Sequence, residues 1–174
     1  MSLPTSRNRT YAVLSQVVSG DLNDLQDGIV ATSNPSPFIP AASGRRLAGS
    51  NIALNASNHA AVTTGNDEAW GVPLSVSPGS IIAAVRTRVA FTLGDAETAK
   101  VSLYRFRDAT TEEVASVAIS ANGGTPTDVG DAITPHTVED GWQYWVVGEV
   151  NDIGASTDVV FQGFGYGYQV RAVP

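Results

Sequence analysis

Adjacent carboxylates are the residues of this sequence whose spacing could support acid–base chemistry. They occur as three pairs, Asp67 with Glu68, Glu112 with Glu113, and Glu139 with Asp140. A glycosidase needs two carboxyl groups about 5–10 Å apart in a groove. Each pair lies in or beside a predicted turn, where solvent-exposed acids are common, and no nucleophile-elbow sequence is present. We therefore assign no catalytic residue and expect a protein that is not an enzyme.

Residues that could hold a metal ion or cofactor are few. The sequence has no cysteine, and its two histidines, His59 and His136, lie far apart. Asp152 and Asp158 could contribute to a calcium-binding loop, but no dense run of acids accompanies them. We expect no metal site and no cofactor.

Four aromatic side chains are candidates for contact with a ligand, namely Trp70, Trp145, Tyr166 and Tyr168. Their flat apolar rings with polar tips suit a surface that stacks on sugars. The alternative is that the rings are structural. In that case the side of the strand that carries Trp142 faces the core, and Trp145 packs against another subunit or a helix.

The charge of the chain limits its partners. The formal net charge is −7, so phosphate backbones would repel the protein and we expect no nucleic-acid partner. No apolar run reaches the roughly 18 residues of a membrane span, and the N-terminus lacks the apolar stretch of a signal peptide. We expect no membrane partner and assembly in a cytoplasm.

One narrow apolar stripe is predicted near the N-terminus. Val18, Leu22, Leu25 and Ile29 recur at the spacing of one helical face. A helix of about three turns is marginal alone in water, so we expect this seam to meet copies of itself or a docking partner. The alternative is that the helix packs on its own domain.

The chain divides into three predicted regions. Residues 1–32 form an N-terminal anchoring arm and helix, residues 33–50 a proline-rich linker, and residues 51–174 a β-sandwich. Three prolines, Pro35, Pro37 and Pro40, disfavour both helix and central strand in the linker.

Alternating apolar and polar residues predict antiparallel strands in the third region. The alternation is clearest at 85–93, 100–104, 142–150 and 164–171, and turn signals such as Ser77-Pro78-Gly79 and Asp140-Gly141 separate these stretches. The predicted fold class is mainly β: an N-terminal arm and short α-helix followed by an antiparallel, jelly-roll-like β-sandwich.

Several segments resemble proteins of tailed-bacteriophage virions. Residues 20–29, with the letters GDLNDLQDGI, are similar to the opening of many phage fibre, spike and head-decoration proteins. Residues 74–82, 101–105, 142–147 and 161–168 resemble strands of the C-terminal jelly rolls of those proteins.

This resemblance implies a non-enzymatic structural component of a virion. Such a protein would be a homotrimer that is anchored by its N-terminus to capsid or tail proteins, with the sandwich projecting outward. The alternative function is a carbohydrate- or receptor-binding module of a tail fibre, whose partner would be a glycan on the host surface.

Overall fold

The alternating stretches of the sequence form long antiparallel strands in the computed structural model. The structure describes residues 38–62, 67–92, 98–151 and 158–169, all of which belong to the unit Ser33–Pro174. The predicted helix, with Val18, Leu22, Leu25 and Ile29, lies outside the described residues. The strands are β1 (Phe38–Pro40), β2 (Arg45–Ala48), β3 (Ile52–Leu54), β4 (Ala60–Val62), β5 (Glu68–Pro73), β6 (Ile81–Phe91), β7 (Thr98–Arg107), β8 (Thr110–Ile119), β9 (Thr127–Thr137), β10 (Gln143–Asn151) and β11 (Val159–Gln169).

These strands form two antiparallel sheets packed as a sandwich. The six-stranded sheet has the order β3-β4-β11-β6-β9, with β1 also paired to β11, and the five-stranded sheet has the order β2-β5-β10-β7-β8. The mainly β, jelly-roll-like antiparallel sandwich predicted from the sequence is thereby confirmed. The only helical segment of the described residues is one short 3-10 turn, Ala41–Ser43.

The core lies between the two sheets and is built from the inward side of each strand. Phe91, Phe161 and Phe164 are fully buried there, and the rings of Phe161 and Phe164 stack with centroids 5.5 Å apart. On β10, Tyr144 and Val146 point into this core, whereas Trp145 and Val147 belong to a second cluster on the other side of the strand. Because successive side chains of a strand point to opposite faces, both faces of β10 are apolar.

The sandwich begins earlier in the chain than the sequence predicts. Within the predicted linker of residues 33–50, β1 pairs with β11 and β2 pairs with β5. Pro40 is compatible with β1 because β1 is a short strand beside β11, where a missing N–H is tolerated. Ala41 is fully buried, and its carbonyl accepts a hydrogen bond from Nε1 of Trp70 at 2.9 Å. The segment from residue 38 is therefore part of the domain.

The turns that the sequence predicts are present where the structure describes them. Gly79, Gly123, Gly124 and Gly141 all have positive φ, which L residues with a side chain rarely adopt. The edge strand β9 contains Pro135, which cannot donate to a neighbouring strand. The glycines lie in the turns that precede β6, β9 and β10.

Candidate ligand-binding groove

The outer face of the five-stranded sheet carries a row of aromatic and polar side chains. Cross-strand pairing places Trp145 of β10 opposite Tyr104 of β7, and Gln143 opposite Phe106. Residues directly opposite each other project to the same side of an antiparallel sheet. The alternation of β7 and β10 therefore gathers these side chains on one surface, away from the core.

Three aromatic rings are in contact on this surface. Tyr104 and Phe106 have centroids 6.1 Å apart and planes inclined by only 29°, so they present two nearly parallel faces. Phe106 meets Trp145 edge to face, with centroids 5.9 Å apart and an angle of 73°. Such edge-to-face contacts are favourable for aromatic pairs. Trp145 thus supports the two rings that are partly exposed.

Trp145 lies at the base of the cluster because side chains of β2 cover it. The guanidinium carbon of Arg45 is 4.8 Å from its ring centroid, which is a cation–π contact. Leu47 packs against the same cluster at a register shift between β2 and β5. A Cβ at Gly71 would collide with Leu47, so this glycine allows the leucine to reach the tryptophan.

A polar network borders the rings. The hydroxyl of Tyr104 lies 2.9 Å from Glu149 and 3.1 Å from Glu113, and the two carboxylates share its single proton. Ser102 donates to Glu149 at 2.7 Å. The ammonium group of Lys100 lies between the two carboxylates and forms ion pairs with both. Lys100 is the single lysine of the chain. The network fixes the position of the tyrosine ring.

The same contacts set the protonation states. Burial, and then the hydrogen bond and charge of Glu149, raise the pKa of Tyr104 well above its ordinary value, so the hydroxyl stays protonated. Partial burial alone would raise the pKa of Glu113, but hydrogen bonds from Lys100, Ser116 and Tyr104 outweigh burial and lower it. Burial opposes the charge of Lys100, yet Glu113 and Glu149 together raise its pKa. Lys100 and Glu113 are therefore both charged at neutral pH.

The surface is concave beside the rings. A groove of about 270 Å³ is lined by residues of β2, β5, β7, β8 and β10, namely Leu47, Ala48, Ala69, Tyr104, Phe106, Thr111, Val147 and Glu149. Apolar walls with a few polar groups at defined positions are typical of small-molecule sites. The groove can stack a flat apolar ligand face on Tyr104 and Phe106 while the hydroxyl of Tyr104 and the carboxylate of Glu149 meet polar groups.

Of the aromatic residues predicted to face a ligand, some lie on the outer face of a sheet and others lie in the core between the two sheets. Trp145 is on the outer face, but it is buried there, with only 8% of it exposed, and contact with a ligand stays a prediction. Trp70 and Tyr166 are buried in the core, so the prediction is wrong for these two residues. Tyr168 stacks on Tyr166 and packs against the same core. On β11 the aromatic residues alternate with glycines, and the aromatic side faces the opposite sheet because it is the side with apolar surface to bury.

Sequence reasoning missed Phe106 and Glu149 as members of the groove. Tyr104 and Phe106 are two positions apart on the polar side of a strand whose other side carries Val101 and Leu103. Two aromatic residues at this spacing on the predicted outward face of a strand could have indicated the ligand-binding surface.

The adjacent acids are bound to protein groups where the structure describes them. Glu68 is buried and accepts hydrogen bonds from the backbone N–H groups of Ser50, Asn51 and Ile52. Glu112 and Glu139 both pair with Arg105 at 2.6 Å. Within residues 38–62, 67–92, 98–151 and 158–169, no group of three or more His, Asp or Glu side chains could hold a metal ion.

None of the helical segments in the described part of the chain has the length and apolar character to cross a membrane.

Comparison with known proteins finds similarity at the level of structure. No family model and no curated protein matches the sequence. The xylan-binding CBM22-1 domain of Xyn10C from Paenibacillus barcinonensis is 12% identical, with 82% of this chain and 100% of that chain covered and a TM-score of 0.49. A carbohydrate-binding module CBM36, solved with calcium and xylotriose, is 15% identical over 75% of this chain and 98% of that chain, with a TM-score of 0.48.

A third solved structure is the mosquito-larvicidal Cry4Aa toxin of Bacillus thuringiensis. It is 12% identical, covers 79% of this chain and 24% of the toxin, and has a TM-score of 0.50. At this level of identity the similarity shows the fold, a β-sandwich that chains of unlike sequence share. The function has to be argued from the groove.

Proposed function

We propose that this sandwich is a non-catalytic carbohydrate-binding module whose groove on the five-stranded sheet holds a neutral sugar chain. The observation that carries the proposal is the pair of nearly parallel rings of Tyr104 and Phe106, 6.1 Å apart in the groove. Pyranose rings have an apolar C–H face and a polar hydroxyl rim, and aromatic faces provide a matching platform. The exposed part of this stacked pair offers apolar surface to a sugar ring in the groove.

The polar network supports the same proposal. The Tyr104 hydroxyl donates to Glu149, which leaves a lone pair of its oxygen available to a sugar hydroxyl. Thr111 adds a further hydroxyl to the lining of the groove. Because the protein contacts already hold Tyr104 in place, little side-chain freedom is lost when a ligand binds.

The charges of the groove do not suit glycoside hydrolysis. Glu149 and Glu113 share the Tyr104 hydroxyl, so two carboxylates are near each other. A glycosidase needs one of its two carboxyl groups protonated as the general acid. Hydrogen bonds, above all from Lys100, outweigh the effect of burial and lower the pKa of Glu113, so it is ionised at neutral pH. Glu113 is therefore unsuited to the role of general acid, and we propose binding without catalysis.

The setting implied by the phage resemblance remains a prediction. A homotrimeric virion component anchored by residues 1–32 would carry this groove outward, and its ligand would be a host-surface glycan. The residues on which the trimer and the anchor depend lie outside the described part of the chain. The groove proposal does not depend on them.

The test is to titrate the isotope-labelled full chain with xylohexaose and with cellohexaose while chemical shifts are recorded by NMR. We expect shifts concentrated at 104–106 and 145–149, and Phe106→Ala to weaken binding about tenfold because it removes one stacking face. The matched control is Leu54→Ala, which changes an exposed apolar residue of the other sheet. Equal affinity of Phe106→Ala and the unmodified chain, or no shift at the groove with either sugar, would contradict the proposal.

A further inference from the structure

A second trough lies on the outer face of the six-stranded sheet, on the opposite side of the domain from the aromatic groove. It has a volume of about 360 Å³, within the range of roughly 300–1,000 Å³ typical of small-ligand sites. Its lining includes the side chains of Phe38, Arg86, Arg88 and Asp128 together with Gly165. The composition differs from that of the groove, because here two arginines and a single aromatic residue line the cavity.

Glycines of β11 form the floor of this trough. Gly165 pairs with Phe38 of β1 on one side and with Arg86 of β6 on the other, and Gly163 pairs with Arg88. Residues in register share a face, so Phe38 and Arg86 stand on either side of a strand that carries no side chain. The two flanking strands are about 10 Å apart, which is twice the spacing between neighbouring strands. At Gly163 and Gly165 the strand between them adds no side chain of its own to the outer face.

The aromatic wall of the trough is exposed. Phe38 is 52% accessible, and its ring lies against Gly163, where a Cβ would collide with it. A large apolar side chain this exposed has a face available for stacking. Phe38 lies at the edge of the glycine floor, so a ligand ring could stack on it while contacting the neighbouring arginines.

The two arginines of the trough differ in their partners. Arg88 donates to Gln162 at 3.1 Å and to Asp128 at 3.3 Å, so its charge is already paired. Arg86 is exposed and forms no side-chain hydrogen bond or ion pair with any of the residues that the structure describes. A guanidinium group presents paired N–H donors that match the two oxygens of a carboxylate. Arg86 is therefore the free cation of the described part of this trough.

We propose that the trough binds a sugar that carries a carboxylate. Arg86 holds the carboxylate through paired hydrogen bonds, Phe38 stacks on the apolar face of the ring, and Asp128 accepts hydrogen bonds from its hydroxyls. This goes beyond the proposed function, since it adds a separate site with a charged ligand on the opposite sheet. Two classes of sugar carry a carboxylate on a pyranose ring and fit this description, the hexuronic acids and the sialic acids.

The main chain around the trough argues against an extended acidic peptide as the ligand. Peptides that add to sheets need unpaired backbone groups at an edge. Along the trough β11 is paired with both β1 and β6, and β6 is also paired with β9. Recognition therefore has to use side chains, as it does for sugars. Polyphosphates are disfavoured by the net charge of −7, which repels a strongly anionic polymer.

The test uses the full chain titrated separately with glucuronic acid, N-acetylneuraminic acid and glucose. We expect at least one acid to bind with shifts at 38, 86, 128 and 163–165, and glucose to bind at least tenfold more weakly. Arg86→Gln should reduce the affinity for that acid at least tenfold, and Arg86→Lys should restore it only in part. Which acid binds identifies the source of the carboxylate.

Three controls separate this site from its alternatives. Phe106→Ala, in the aromatic groove, should leave binding of the acid unchanged, so failure of one site is distinguishable from failure of the other. The methyl ester of glucuronic acid and acetate should both bind more weakly than the sugar acid. The proposal is overturned if either of them binds as tightly as the acid. It is also overturned if Arg86→Gln binds the acid with the affinity of the unmodified chain.

Discussion

The carboxylate of Glu68 occupies the space in which a side chain at position 49 would have to lie. Gly49 has φ of +74°, and a Cβ placed on it would collide with the carboxylate oxygens of Glu68. Glu68 in turn is 2% exposed and accepts the N–H group of Ile52 at 3.0 Å. The loop between β2 and β3 is thus folded around a buried carboxylate and requires glycine at its start.

Replacement of this glycine should destabilise the domain more than replacement of a glycine in open space. Gly49→Ala combines backbone strain with the collision against Glu68, and we expect a loss of about 2–3 kcal/mol in the free energy of unfolding. Gly79→Ala is the matched control, because φ is +84° there and a Cβ would meet nothing within 4 Å. Urea unfolding of both variants measures the difference. Equal losses would show that the carboxylate moves aside at no cost.

Removal of the carboxylate itself should also destabilise the domain. Glu68→Ala leaves the N–H groups of Ser50, Asn51 and Ile52 without their acceptor, and an unsatisfied buried donor costs about 1–3 kcal/mol. We expect a total loss of about 3 kcal/mol by urea unfolding. Glu112→Ala is the control, since that carboxylate is 43% exposed and its ion pair with Arg105 contributes less than about 1 kcal/mol. A loss for Glu68→Ala no larger than for Glu112→Ala would refute this account of the loop.

The pH dependence of stability should include a contribution from His136. Its Nε2 is 3.0 Å from the hydroxyl of Tyr144, and partial burial followed by the charge of Arg105 lowers its pKa, while Glu139 has the opposite effect. A lowered pKa means that the unfolded chain takes up the proton more readily than the folded chain. The stabilisation is therefore complete above the ordinary value of 6.5 and is lost as pH falls through the lower folded value.

Two measurements check this assignment. Urea midpoints at pH 7.5 and 5.0 should fall more for the unmodified chain than for His136→Gln. NMR titration should show that Arg105→Gln raises the pKa of His136, because the neighbouring positive charge is gone. An identical pH slope in the two chains, or an unchanged pKa in Arg105→Gln, would mean that another group is responsible.

The start of the domain can be located by deletion. A chain that begins at residue 33 keeps β1 and β2, whereas one that begins at residue 51 loses both and removes the Ala41 carbonyl from Trp70. We expect the first to unfold cooperatively on heating, and the second to lose roughly 3 kcal/mol or more because buried surface of Trp70 is uncovered. Circular dichroism compares them. Equal melting temperatures would show that residues 33–50 do not stabilise the domain and act as a linker.

The sequence predicted the long strands because their alternation is regular, as in Val85 to Leu93, and the glycines of the turns are distinctive. It did not predict β8, an edge strand whose apolar residues do not alternate regularly with its polar ones: Val114 and Ala115 are adjacent, as are Val117, Ala118 and Ile119. Edge strands are held by their neighbours rather than by a core of their own, and this information is not local.

The candidate site was harder to predict than the fold. In β10, Tyr144 and Val146 alternate with Trp145 and Val147, and both sets are apolar. Periodicity separates the two faces but does not tell which one is buried, since that depends on the opposite sheet. For the same reason Trp70, a core residue that donates to Ala41, could not be distinguished from Trp145 on the outer face.

Pro135 limits how copies of this domain can associate. Edge strands with free N–H and C=O groups are templates on which further strands can add, and this is the usual route from a folded sandwich to fibrous aggregates. At the edge formed by β9, the proline interrupts the row of donors close to the register shift between Ile82 and Ala84. A strand that added along this edge would meet a position without an N–H donor. An intermolecular sheet built on β9 would therefore be interrupted within the strand.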